Sequence, residues 1–380
     1  NTTGAHNVAM GAYALDANTT AANNTAIGYA AMGANTTGTN NAAVGYLALS
    51  ANTTGGNNNA FGMNCLDANT TGGTNNAFGA FALGANTTGS SNVAMGYNSL
   101  ATNTTGAANT ALGHDTLVFN TTGGAGTAVG FQALDANTSG SNNTGVGYAA
   151  LGLNTTGASS TACGYAALDA ATTATNNAGF GLHSLSAVTT GPNNAASGTY
   201  SGHLITTGAQ NTLLGMYAGN VLTTGTYNVY IGYNSHASAN NVANEIVISN
   251  GNTVGKGGST GFINAAGGAM YQGNNGTAWA QTSDRRIKKD IVPNTKGLAA
   301  IIQIEPKNFF YKSDEELQEE MPGAKEQLPL NERKTSAIAQ ELDLIFPEAI
   351  ERRGKHDIMS VNTDPIFWSM VNAIKELSAE

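Results

Sequence analysis

The chain has 380 residues and a formal net charge of −9, spread unevenly: residues 1–282 hold one Lys and six acids, leaving 14 bases and 18 acids beyond them. So uncharged a stretch gives a phosphate backbone no electrostatic footing, which argues against nucleic acid as a partner. Two cysteines exclude a disulfide scaffold, 11 Phe and 2 Trp exclude a large aromatic core, and no apolar run reaches the ~18 residues of a membrane span, so no membrane insertion is expected.

The chain opens on Asn1 in mid-pattern, as a fragment or a processed product would. Asn-Thr-Thr-Gly or a close variant begins at residues 1, 18, 35, 52, 69, 86, 103, 120, 137 and 154, and the phase continues at Ala171, Val188, Ile205 and Leu222. Every step is 17 residues, so fourteen units cover residues 1–238 without an insertion. The consensus is N-T-T-G-x-x-N-x-A-φ-G-Y-x-A-L-x-A, with φ apolar. A strict period of this kind predicts one solenoid turn per unit, each position stacking on itself about 4.8 Å further along. The alternating N-x-A-φ-G segment predicts a short strand with one face inward, Y-x-A-L the return side, and N-T-T-G the turn. The eleventh position is Gly in every unit from Gly11 to Gly232, which marks a place where a Cβ would clash. About two medium hydrophobes per turn enclose little, so the small residues predict three thin solenoids sharing one core.

The N-x-A-[IVM]-G core resembles the repeats of trimeric autotransporter adhesin heads, which implies a left-handed parallel β-roll, here with a longer repeat. In the last units Ala187-Val188, Leu204-Ile205 and Val221-Leu222 replace Ala-Asn, and Gly202 and Gly219 replace Leu, as if adapting to a junction. From Ser238 the period is lost. Residues 239–282 read as a Gly/Asn-rich connector with strands at 244–249 and 260–264.

Paired Thr at the second and third positions reads in two ways. One Thr bonds along the stack while the other caps a turn, or the two form an ice- or glycan-binding face; adjacent Thr residues favour the first. Asn-Thr-Thr is also a glycosylation sequon, although Asn is equally the expected turn residue. The six histidines share no common repeat position, which gives no basis for a metal ladder, and no metal or cofactor is expected. Cys65 and Cys163 lie nearly six turns apart, roughly 28 Å, too far to bridge, and read as buried thiols. The scattered Asp residues give no paired carboxylates for glycoside cleavage, so the shaft does not read as an enzyme.

The charged tail, residues 283–380, reads as a small α+β domain. It has a helix at 296–304, a strand at 308–312, an acidic loop at 313–334 with a helix at 314–320, a helix at 336–346 stopped by Pro347, and a helix at 365–378. On the last, Ile366, Met370, Ala373/Ile374 and Leu377 form one stripe, either core or a trimer seam.

At the border stands Ser283-Asp-Arg-Arg-Ile-Lys288, which alone could be a basic strand with an incidental serine. It resembles the S-D-x-R-φ-K opening of the endosialidase-type intramolecular chaperone, a self-cleaving C-terminal module of phage tailspikes and fibres. Glu305–Lys312 resembles that family's P-x-x-F-x-Y-K strand, Ser336–Glu341 with Ile345–Glu348 its I-A-Q-E…F-P-E helix, and Ala373–Leu377 its closing A-I-K-E-L. A common Gly is replaced by Ser336-Ala337. The resemblance implies autoproteolysis between Thr282 and Ser283, with Ser283 as nucleophile, Lys288 as general base, and Asp284 and Arg286 positioning them. It implies a homotrimeric tail fibre or spike on a virion, meeting a host receptor or glycan outside the cell. The alternatives are a bacterial surface adhesin with glycan- or ice-binding repeats, and a depolymerase spike whose catalytic part lies outside these residues.

Overall fold

The computed structural model describes residues 2–265, 268–272, 289–313, 316, 333–353 and 358–379. The chain divides into two compact units, Asn1–Thr282 and Ser283–Glu380. Unit one is the expected parallel solenoid. Each repeat places a three-residue strand at the same point: β1 (Val8–Met10), β2 (Thr25–Ile27) and so on in steps of 17 to β14 (Val229–Ile231). Neighbouring strands pair in parallel with like residues opposite, as in Ala26↔Ala43 and Ala43↔Ala60. Bonding between turns continues outside the strands. Leu49 N–H donates to Cys65 O at 2.9 Å, and Thr53 N–H to Thr70 O at 2.9 Å.

The period outlives the consensus. Beyond β15 (Ser235–His236), β16 (Ile246–Ser249) pairs with β14 through Val229↔Ile246, again 17 residues on, where the sequence predicts an aperiodic connector. Backbone position, not residue identity, carries the repeat here: Asn244 keeps the left-handed φ of 58° of the sixth position and Val247 the buried site of the ninth. After β17 (Thr253–Val254), which pairs with β15, β18 (Gly261–Ala265) joins β16 in parallel, Ile246↔Gly261. Then β19 (Gly268–Gln272) returns antiparallel along β18.

Each turn closes on its own core, which corrects the expectation of one core shared by three chains. The ninth-position Ala, the small fourteenth residue and the fifteenth-position Leu are fully buried in turn after turn, as in Ala43, Ala48 and Leu49. A turn this narrow is filled because the Leu sits at left-handed φ, 55° at Leu49, which aims its side chain inward. A β-branched residue would be more strained there. Two amide ladders fill the rest. Asn52 Nδ2 donates to Asn35 Oδ1 at 2.8 Å and to Gly55 O at 2.9 Å, while Asn41 Nδ2 reaches Gly55 O at 2.9 Å and Asn41 Oδ1 accepts Asn58 N–H at 2.9 Å. Near the end of the shaft the core is rebuilt at similar volume. Where Gly202 and Gly219 drop the Leu, Leu213 and Tyr230 replace the ninth-position Ala, and a Cβ on Gly202 would lie 2.9 Å from Leu185 Cδ2.

These positions answer several readings of the repeat. The second-position Thr hydroxyl bonds along the stack, Thr36 Oγ1 to Thr53 O at 3.0 Å, while the third-position Thr is exposed, so two free hydroxyl rows do not form. The sequon asparagines from Asn18 to Asn154 are buried in the ladder, which fits their turn role and hides them from modification. Cys65 is buried and its thiol pushed up to about 12 by desolvation. Cys163 is exposed, against expectation, because it stands at the tenth position, on the outward face of its strand.

Unit two is small and mixed. It contains α1 (Leu298–Ile301), β20 (Lys307–Phe309) paired with β21 (Lys334–Ser336), α2 (Ala339–Asp343), a 3-10 turn at Pro347–Ala349, the hairpin β22 (Ile350–Arg353) and β23 (Ile358–Val361), and α3 (Asp364–Leu377). Two helices are shorter than predicted, because Ser336 belongs to a strand and Lys296 and Gly297 precede α1. The hairpin is absent from the sequence reading. The acidic loop falls mostly outside the described residues.

Candidate functional site

Thr282, Ser283, Asp284, Arg285, Arg286 and Lys288 lie outside the described residues. The chain that follows them is well anchored. Pro293-Asn294 turns it toward α3, where Asn294 Nδ2 donates to Ser369 Oγ at 3.1 Å and Asn372 Nδ2 donates to Asn294 O at 2.9 Å and Lys296 O at 3.1 Å. Glu376 Oε2 accepts Leu298 N–H at 2.7 Å, giving α1 the N-terminal acceptor that Gly297 cannot supply from its own side chain. On the other side Lys296 Nζ pairs with Glu348 at 3.0 Å, lies 4.6 Å from the Phe346 ring centroid and donates to Ile345 O. Desolvation raises the Glu348 carboxyl, but its own backbone N–H and Lys296 outweigh that and bring it below the usual range.

Beneath the brace Leu342, Phe346 and Ala349 are buried, with Ile301, Ile304, Ile345 and Ile366 packed around them. Ile302, Gln303, Glu305, Glu341, Leu344 and Ile345 line a groove of about 570 Å³. Lys307 spans its acidic rim, 2.7 Å from Glu305 and 3.9 Å from Glu341, and holds the Glu305 carboxyl below its ordinary value. Among the described residues no group of three or more His, Cys, Asp or Glu is placed to hold a metal ion.

The predicted stripe on α3 divides. Ala373 packs inward with Ser369, whereas Met370, Ile374 and Leu377 are 41–63% exposed together with Phe367. Phe367, Met370, Ile374 and Leu377 follow a three-four-three spacing, that of a coiled-coil seam. The bracing residues Lys296, Asn372 and Glu376 were not singled out from the sequence. Their partners are about 50 to 80 residues away, and no local pattern announces such pairs.

The comparisons meet this unit at its first residue. Residues 283–351 match the family model described as the chaperone of endosialidase. That family is a self-cleaving chaperone domain, and its match opens at Ser283, the first residue of the second unit. No curated protein matches the chain. The chaperone match and the repeat solenoid together fit a tail fibre with a C-terminal chaperone, and they suggest an extracellular place on a virion. No helix among the described residues is long and apolar enough to cross a membrane.

Proposed function

We propose that this chain is the shaft and terminal chaperone of a homotrimeric phage-type fibre or spike, and that the chaperone cuts itself free between Thr282 and Ser283. The observation that carries the reading is the family match beginning at Ser283, with Lys288 five residues on. The exposed three-four-three seam on α3 suits the alignment of three chains.

The chemistry follows from the residue types. A serine hydroxyl is a weak nucleophile until a base takes its proton, and a lysine can do so only when neutral. Arg285, Arg286 and Lys289 stand beside Lys288 in the sequence, and like charges of this kind favour a neutral lysine. Ser283 Oγ then attacks the Thr282 carbonyl carbon as its proton passes to Lys288. The peptide C–N bond breaks, the proton returns to the Ser283 nitrogen, and Thr282 is left as an ester on Ser283 Oγ. Water hydrolyses the ester, giving a Thr282 carboxylate and a Ser283 with free amine and hydroxyl. Asp284 and Arg286 hold the two groups in place. No cofactor is required.

Denaturing mass analysis of the purified chain tests this. Wild type should yield fragments ending at Thr282 and beginning at Ser283, while Ser283→Ala and Lys288→Ala remain at full mass. Folded wild-type trimers that stay uncut would leave a chaperone without the peptidase.

A further inference from the structure

We propose that the outward face of the shaft strands, with the row beside it, is the surface along which three copies of this chain pack, parallel and in register. The inference rests on the trimeric reading above and names the surface that reading needs.

The shaft cannot hide its large apolar side chains inside itself, because Ala, Leu and Asn already fill each turn. They stand outside instead, in two rows flanking the eleventh-position Gly. Eight tenth-position residues, Phe61, Phe78 and Met95 among them, and ten twelfth-position residues, such as Tyr148 and Tyr165, are each 37–62% exposed. At roughly 200 Å² for a large side chain, they leave on the order of 1,500 Å² of apolar surface on one chain. A typical monomer tolerates a patch of a few hundred Å², and a stable interface needs about 800 Å² from each partner. Neither row contains an Asp, Glu, Lys or Arg; the aspartates of the repeats stand at the thirteenth and sixteenth positions, as in Asp115, Asp135 and Asp169.

Periodicity identifies the occupant. Each row advances one residue per turn, and only a partner with the same rise keeps its residues opposite these along the whole length. A second copy of the chain has that rise by construction. Aromatic geometry points the same way. The Phe61 and Phe78 rings stack at 5.0 Å and 2°, and Tyr148 and Tyr165 at 4.9 Å and 8°. Rings stacked on one another cover their faces and present their edges, which suits apolar packing and removes the flat platforms on which a sugar would lie.

The protein contains its own probe. Cys163 lies in the tenth-position row and is exposed, while Cys65 is buried. In the proposed packing the three Cys163 thiols meet at one level about a common axis. A short bismaleimide added to the native full-length chain should therefore give covalent dimers on a denaturing gel. It should link at most two chains in three, because the third thiol has no mate. Cys163→Ser should abolish the dimers, and moving the thiol to the exposed third-position row, Thr173→Cys in the Cys163→Ser background, should not restore them. Sedimentation of the same samples separates the two levels of the argument. Trimers that cross-link through Thr173→Cys, or whose Cys163 stays unlinked and freely alkylated, overturn this face while leaving the trimer. Monomers overturn the trimeric reading itself.

Discussion

Asn86 carries more of the fold than a turn residue would. Its Nδ2 donates to Asn69 Oδ1 at 2.8 Å and Gly89 O at 3.0 Å, and its Oδ1 accepts Asn103 Nδ2 at 2.9 Å, all buried. Asn86→Ala leaves the buried Asn69 Oδ1 without a partner and removes one of two bonds from Gly89 O, which keeps Asn75 Nδ2, and from Asn103 Nδ2, which keeps Gly106 O; it should cost about 2–3 kcal/mol in denaturant unfolding. Asn154 ends the ladder because position 171 is Ala, and its Oδ1 has no partner. Asn154→Ala should therefore cost about 1 kcal/mol less than Asn86→Ala; equal costs would refute the ladder account. At the eleventh position backbone conformation and space agree. Gly130 has φ 126°, and a Cβ there would lie 2.6 Å from Gly147 O. Gly130→Ala should destabilise by about 3 kcal/mol or more, as a drop in denaturant midpoint would show. Glu245 offers a contrast. Fully buried at the seventh position, it replaces the amide with a carboxylate that accepts Tyr230 OH at 2.8 Å and the N–H groups of Ser238 at 3.0 Å and Gly257 at 2.7 Å. It closes the second ladder just where the 17-residue step gives way.

Among the elements, the strands and their parallel pairing are legible in the sequence because period and alternation are backbone properties. Alternation says that the ninth position opposes the eighth and tenth. It does not say which face is enclosed, and small residues at so many positions suggested a core completed by other chains. What decides the matter is Leu49 and its counterparts at left-handed φ, a conformation that Leu rarely adopts and that no local rule assigns to it. In unit two the helices at 298–301 and 339–343 are legible in place but not in length. The 350–361 hairpin is not legible because Ile350-Glu-Arg-Arg353 alternates too briefly. The proposed Ser283–Lys288 pair rests on linked motifs along the tail, since neither residue type announces a peptidase by itself, and it lies outside the described residues. The brace on Asn294 and Lys296 is a tertiary feature.

For the whole molecule, pH acts on the two units with opposite sign. Desolvation raises the carboxyls of half-buried Asp67, Asp135 and Asp169 above their ordinary value. Between the unfolded and folded pKa the folded shaft binds more protons than the unfolded chain, so its stability falls as pH rises through that window. Replacing all three with Asn should raise the shaft's melting temperature near neutrality, and the gain should vanish by about pH 4. A gain independent of pH would sink this assignment. Glu305 and Glu348, held low, contribute stability above their unfolded pKa that is lost as pH falls through the folded one. Both pairs are exposed enough that the loss is small.

Because the bonds between turns recur at the same offsets in unit after unit, the neighbours of a turn do not depend on how many turns there are. Removing residues 69–85, one whole unit, should leave a chain that melts as cooperatively as its parent, while removing 69–84 should not. Such a shaft counts rather than measures. Its length can drift by whole steps of about 4.8 Å while its cross-section and its two ends stay the same. Reach is thus a property that gain or loss of repeats can tune without a single new contact being invented.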